Sequence, residues 1–322
     1  MKRATTKHIS VRQIIAASIA LTGLAACGGG SDSGVTAPDP TPDTATFSLA
    51  ISDAPVDNAS EVVVYFDEVE LTGNGEPITF DVTDDNGDPR SVDLLTLQGT
   101  SFATLVEETE IPVGDYGQLR LVVTEDSYIV MDDGTFPLRV PSNELKLDGF
   151  SALPGFEAAY TVEFDLRKSL VDPNGQSAVF LKPRGVRLVL NDDVGVLEGT
   201  VDSTLLDAPQ CAEKVDLNEG NAVYVYEGEY SEISELGDDA DVADGDTEAR
   251  PYSIIPVTYD DVNETYAFIG GFFPAGDYTL SFSCTALFDE PETDEGEEDG
   301  FVLQTIDIVT VTAGDTTTVA ID

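Results

Sequence analysis

The chain has no tryptophan, two methionines, three cysteines and one histidine among its 322 residues. Cationic side chains are scarce too: 15 lysines and arginines face 62 aspartates and glutamates, a formal charge of −47. Such a surface repels nucleic acid and anionic membranes, which removes both as partners. Without tryptophan there is no indole platform for a sugar ring. Long apolar runs are missing as well. The stretch over residues 14–26 is too short and too rich in small residues to span a bilayer well. Aromatic and β-branched residues are nonetheless plentiful, so the acidity does not signal general disorder. Acidity on this scale suits solvation in salty water, where screening tolerates self-repulsion, or divalent-cation binding by carboxylates.

Lys2, Arg3, Lys7 and Arg12 open the chain, the apolar stretch follows, and Leu24-Ala25-Ala26 leads into Cys27. A charged start, a short apolar stretch and small residues are the parts of an export signal. Leu-Ala-Ala-Cys resembles the processing box of bacterial lipoproteins. The resemblance implies cleavage before Cys27 and acylation of that residue, palmitate included, and two or more chains anchor stably. Gly28, rather than Asp, after the cysteine implies passage to the outer membrane of a host with two membranes. Cleavage removes four basic residues and no acidic one, so the formal charge falls from −47 to −51. His8 goes with them. The mature chain then lacks Ser-His-Asp and Cys-His machinery, a histidine ligand for zinc, copper or haem, and an imidazole that titrates near neutrality. No enzyme is expected. A carboxylate-only hydrolase is the remaining catalytic alternative, and no pair of acids is singled out for it. In an oxidising compartment Cys211 and Cys284 are expected to pair. Their loop of about 70 residues is worth about 4 kcal/mol in the chain-entropy model.

Residues 28–45 are dominated by Gly, Ser, Pro, Asp and Thr and read as a tether. From Thr46 onward, short alternating or β-branched runs are bounded by turn residues. They cover residues 47–51, 62–66, 78–82, 119–123, 128–131, 158–166 and 186–190, then 196–201, 222–226, 253–257, 266–269, 278–282, 301–312 and 316–321. Residues 101–108 and 166–171 each suit a short helical turn. The pattern predicts an all-β protein of two β-sandwich domains, Ig-like or transthyretin-like. The predicted organisation is a leader at 1–26, lipidated Cys27 and linker to 45, then sandwiches at 46–193 and 194–322. Two landmarks recur in both halves: Asp53-Ala54-Pro55 and Asp207-Ala208-Pro209, then Pro112-Val113-Gly114-Asp115-Tyr116 and Pro274-Ala275-Gly276-Asp277-Tyr278. In the second pattern Gly is expected to permit a positive φ and Tyr to open the next strand.

Several segments in order carry a wider likeness: Ser52-Asp53-Ala54-Pro55-Val56, Val92-Asp93-Leu94-Leu95, residues 111–121, Val140-Pro141-Ser142 with Leu145-Lys146-Leu147, Phe164-Asp165-Leu166-Arg167-Lys168-Ser169-Leu170 and Leu181-Lys182-Pro183. With them residues 46–190 resemble the bacterial lipoprotein domain of unknown function 4382. The resemblance implies an exported β-rich module and transfers no activity. Residues 197–201, 271–280 and 309–315 are similar to the carboxypeptidase-regulatory or transthyretin-like sandwich, which implies an accessory, structural role.

Nine of the eleven basic residues of the mature chain lie in the first half. Arg120, Arg139, Lys146, Lys182 and Arg184 sit in or beside strand runs. They are read as structural ion pairs or as a patch for an anionic ligand. Asp84, Asp85, Asn86 and Asp88 have the oxygen density of a calcium site but lack the EF-hand frame. Further acids crowd residues 237–248 and 289–299. No cofactor is required, with Ca2+ the one candidate. The expected role is non-catalytic binding, adhesion or assembly at the envelope, the membrane being met through the lipid and the partner being an envelope protein or polysaccharide. A calcium-dependent adhesin or carbohydrate-binding protein is the alternative.

Overall fold

The computed structural model describes residues 43–54, 59–131, 134–171, 177–238, 247–289 and 300–322. Cys27, the leader and the tether lie outside them. The first half contributes β1 (Thr44–Ala54), β2 (Ala59–Thr72), β3 (Ile78–Asp81), β4 (Arg90–Asp93), β5 (Ala103–Pro112), β6 (Gly114–Val123), β7 (Tyr128–Met131), β8 (Gly134–Arg139), β9 (Glu144–Ala152), β10 (Glu157–Asp165), the one-turn helix α1 (Leu166–Ser169), β11 (Leu170–Val171), β12 (Val179–Leu181) and β13 (Val186–Leu190). The second half contributes β14 (Val194–Val201), β15 (Ala222–Glu227), β16 (Ser253–Pro256), β17 (Thr258–Asp260), β18 (Thr265–Pro274), β19 (Gly276–Ser283), β20 (Asp307–Val311) and β21 (Thr316–Ile321).

These strands make two β-sandwiches. The first pairs the sheet β13-β10-β1-β5 with the larger sheet β11-β12-β8-β7-β2-β6-β9, where β3 and β4 also pair with β2. The second pairs β17-β18-β14-β21 with β16-β15-β19-β20. One pairing scheme recurs. β1 runs parallel to β10 and antiparallel to β5, while β14 runs parallel to β21 and antiparallel to β18. Likewise β2 pairs β6 and β15 pairs β19. In both halves the Pro-x-Gly-x-Tyr segment carries the chain from one sheet to the other. Tyr116 and Tyr278 then donate their hydroxyls to the carbonyls of Pro112 and Pro274, at 2.9 and 2.8 Å.

Alternation accounts for the cores. Ala45, Phe47, Leu49 and Ile51 of β1 face inward with Ala158, Val162 and Phe164 of β10. Val223 and Val225 of β15 meet Leu280 and Phe282 of β19. The outer faces of two sheets are buried as well. Tyr224, Tyr226, Leu236, Ala286 and Leu303 form a further apolar layer over the outside of β15 and β19. Thr161, Glu163 and Asp165 lie on the outer face of β10, yet all are buried. The second sandwich covers them, with β16 against β1. Contact is close: a Cβ on Gly271 would sit 2.6 Å from the Gly99 carbonyl oxygen.

Two expectations change. Residues 101–108 are not helical, since Ala103–Pro112 pairs with β1 through two register shifts that absorb the broken alternation. The run at 301–312 is a strand only over Asp307–Val311. Before it, Phe301, Leu303 and Ile306 turn onto the third apolar layer, and Phe282 N–H is met by the Thr305 hydroxyl at 3.0 Å. Residues 166–169 do form the expected helical turn, capped by the Asp165 carboxylate accepting from Lys168 N–H at 3.3 Å.

Candidate functional site

Three of the five singled-out cations converge. Lys146 on β9 and Lys182 and Arg184 around Pro183 line one surface groove of about 570 Å³, over a floor that includes Pro141, Leu147 and Val186. The turn that carries Lys182 and Arg184 follows β12 and is tied to α1. Lys182 N–H donates to Ser169 O at 2.7 Å, and Arg184 Nε donates to Lys168 O. All three cations are exposed. Lys146 also pairs with Glu144 at 3.3 Å. In an exposed setting that pair is worth about 0–1 kcal/mol and yields readily to a better anion.

The other two cations are elsewhere. Arg120 stands across from Lys146 in the β6–β9 pairing, but Glu70 holds its guanidinium at 3.1 Å and Gln118 at 2.6 Å. Arg139 donates to Glu125 O at 2.7 Å. Neither lines the groove.

The Asp84-Asp85-Asn86-Gly87-Asp88 segment is an exposed turn. Its Asp84 carboxylate accepts from Asn86 N–H, Asp88 N–H and the Asn86 amide at 2.8, 3.1 and 3.1 Å. Those donors hold the Asp84 carboxyl below the usual carboxylate range. Asp84 thus serves the turn's own backbone. Among the described residues, no three of His, Cys, Asp and Glu converge on a point that would hold a metal ion. Most of the two acidic runs, residues 239–246 and 290–299, falls outside the described residues. Cys211 and Cys284 are bonded, with Cα atoms 5.6 Å apart, and tie the 3-10 turn after β14 to the end of β19.

The charged cluster that sequence reading did not assemble lies between the sandwiches. Arg167 Nη2 donates to the carbonyls of Ala286 and Asp289 at 2.8 and 3.4 Å. Lys168 pairs with Asp165 at 3.5 Å and reaches Tyr252 O at 3.3 Å. Arg187 bonds Glu163 at 2.7 Å and sits over the Tyr252 ring, 4.0 Å from its centroid. Burial pushes the Glu163 carboxyl up, and Arg187 beside it pulls in the opposite direction without cancelling that rise. These groups clamp one sandwich to the other. The available signal was local: Asp165-Leu166-Arg167-Lys168 sets three charges at the end of a largely apolar strand run and in the turn that follows it.

Comparison with curated proteins finds no match. Among solved structures, a leucine-rich repeat protein from Bacteroides thetaiotaomicron aligns at 10% identity and TM-score 0.21 over 86% of this chain and 26% of that one. The chain therefore spans about a quarter of that protein's length. The minor pilin of Streptococcus agalactiae aligns at 11% identity and TM-score 0.19, over 85% of this chain and 94% of the pilin. A fimbrial protein from Bacteroides ovatus aligns at 8% and 0.19, over 88% and 49%. Superpositions this loose transfer no property. The sequence likeness is of another kind: residues 44–183, from the start of β1 to the turn that carries Lys182, match the family model of domain of unknown function DUF4382.

Proposed function

We propose that this chain is a lipid-anchored protein of the bacterial envelope that works by binding, with anionic groups of an envelope polysaccharide or protein docking between Lys146, Lys182 and Arg184. The observation that carries the reading is the convergence of these three exposed cations on one groove in so acidic a chain. Each short cationic arm meets a carboxylate, sulfate or phosphate over the distance that physiological salt leaves unscreened, about 8 Å. Acidic residues dominate the chain and disfavour polyanions elsewhere on the described surface. The basic leader and Leu24-Ala25-Ala26-Cys27 support the anchor, and the outer membrane is its destination in a host with two membranes. The absence of histidine after Cys27 supports a non-catalytic role.

Two measurements test this. Cys27→Ser should move the protein from the membrane to the soluble fraction; an unchanged partition removes the anchor. The soluble protein should bind polygalacturonate and ignore neutral dextran at physiological salt. Lys146→Glu with Lys182→Glu should weaken polygalacturonate binding at least tenfold. Equal binding by parent and variant removes the groove from the reading.

A further inference from the structure

The groove that carries Lys146, Lys182 and Arg184 lies between two sheet edges. One wall is β9, the last strand of the larger sheet of the first sandwich, and the other leads into β13, the last strand of the smaller sheet. Among the described residues β9 pairs only with β6, and β13 only with β10, although β9 and β13 are neighbours. Lys146 and Leu147 are consecutive, one exposed and one buried, so they point to opposite faces of the sheet. Both line the groove, which therefore runs along the edge of β9 rather than over one of its faces. In an antiparallel pair the backbone groups of alternate residues turn away from the partner strand. Along β9 those groups have no strand to meet.

An open sheet edge is a template for another strand, and charged side chains, lysine above all, are the usual guard against it. Here the guard selects: Lys146, Lys182 and Arg184 repel a cationic strand and attract an acidic one. Lys146 stands across from Arg120 in the β6–β9 pairing. Like charges side by side on a sheet are unfavourable, and a carboxylate on the open flank of Lys146 offsets that. Asp148 shares the exposed face with Lys146 and disfavours a second acid two residues along. Leu147 and Val186 give apolar contact beneath. A polysaccharide would meet the cations and leave the edge groups without partners at a matching repeat. An extended polypeptide meets both, since its residues repeat at the same rise as those of β9, about 3.3 Å. A second copy of this chain suits the edge poorly, because a formal charge of −47 on each opposes association.

We infer that the groove takes an extended acidic segment of a partner protein, which adds a strand to β9, sets an acidic side chain beside Lys146 and lays its alternate apolar side chains on Leu147 and Val186. The inference rests on the groove reading above and narrows its ligand from anionic polymers in general to polypeptide. Main-chain hydrogen bonds to β9 supply affinity, and the cations with the apolar floor supply specificity.

Calorimetry and amide hydrogen exchange on the soluble Cys27→Ser protein test this with the end-blocked peptide Thr-Glu-Val-Thr-Val-Glu-Thr. One counterpart carries Lys for both Glu. A second carries Pro for both Val, which keeps the charge and removes two amide donors. The acidic peptide should bind at least tenfold more tightly than either, and Lys146→Glu with Lys182→Glu should weaken it at least tenfold. With the peptide bound, alternate β9 amides should exchange at least tenfold more slowly; with polygalacturonate bound they should exchange as in the free protein. This readout uses the parent protein and does not depend on how any variant folds. Equal binding of the proline counterpart, unchanged exchange along β9, or no binding of the acidic peptide overturns strand addition. Dimers of the protein alone that protect β9 would assign the edge to a second copy and overturn it too. In those cases polygalacturonate binding that still falls in Lys146→Glu with Lys182→Glu leaves the groove reading standing. Polygalacturonate binding indifferent to that substitution removes the groove reading, and this inference with it.

Discussion

At Asp53 a strand that is apolar on its inner face ends on a carboxyl group. Phe47, Leu49 and Ile51 precede it on the same face of β1, and all four are buried. Because its folded pKa lies above that of a free aspartate, the folded protein holds the Asp53 proton more tightly than the unfolded chain does. The stabilising contribution is complete below the unfolded value, about pH 4, and is lost as pH rises through the folded one. Between those values it falls by about 1.4 kcal/mol per pH unit. Asp53→Asn removes that slope. The variant should unfold at a higher temperature than the parent at pH 8, and the gap should narrow as pH falls toward 5. A gap of the same size at pH 5 and pH 8 contradicts the assignment. The aspartate was visible in the sequence as part of Ser52-Asp53-Ala54-Pro55. Its burial was not, because burial depends on strands and turns far away in the chain, including the bridge to Gln98.

Among the elements, the two Pro-x-Gly-x-Tyr corners look alike in sequence and make the same tyrosine hydrogen bond, yet their glycines do different work. Gly114 takes φ 144°, and a Cβ there would lie 2.5 Å from the Asn74 side chain. Gly276 does not adopt a positive φ, and a Cβ there would meet only the Tyr278 ring at 3.9 Å, ordinary contact. The positive φ expected of both therefore holds at Gly114 alone. Gly114→Ala should cost about 1–3 kcal/mol of stability. Gly276→Ala should stay within about 0.5 kcal/mol, as for substitutions that create no strain. Denaturant midpoints compare them, and equal losses would mean that both corners need glycine. The corners themselves were legible, because proline, glycine and tyrosine at fixed spacing are local signals. Residues 101–108 were not, because their alternation is broken where β5 shifts register against β1, a compromise that only the partner strand imposes.

Over the whole molecule, burial of polar residues on the outer face of β10 marks where the sandwiches meet. Arg167 is 8% exposed and reaches the second sandwich at Ala286 and Asp289. Arg167→Ala leaves those buried carbonyls without this donor, at about 1–3 kcal/mol. That loss falls on the junction. Scanning calorimetry of the variant should therefore resolve two transitions where the parent shows one. Reduction of Cys211–Cys284 should instead lower only the second sandwich, by about 4 kcal/mol for a loop of this length. A single, uniformly shifted transition in the variant would show that Arg167 does not couple the sandwiches.

Composition and periodicity by themselves determined the all-β class, the positions of many of the strands, the acidic surface and the pairing of two cysteines in an oxidising compartment. Each of these rests on local alternation, turn chemistry or simple counting, which a linear chain carries in full. The sequence also marked Lys146, Lys182 and Arg184 as rare cations in a sea of acids, though alongside Arg120 and Arg139. Only the tertiary structure showed that Lys146, Lys182 and Arg184 line one groove while Arg120 and Arg139 do not, because that choice depends on which strands lie side by side. Tertiary structure alone also set the open edges of β9 and β13 on either side of that groove. They belong to different sheets, and packing of one sheet on the other brings them together.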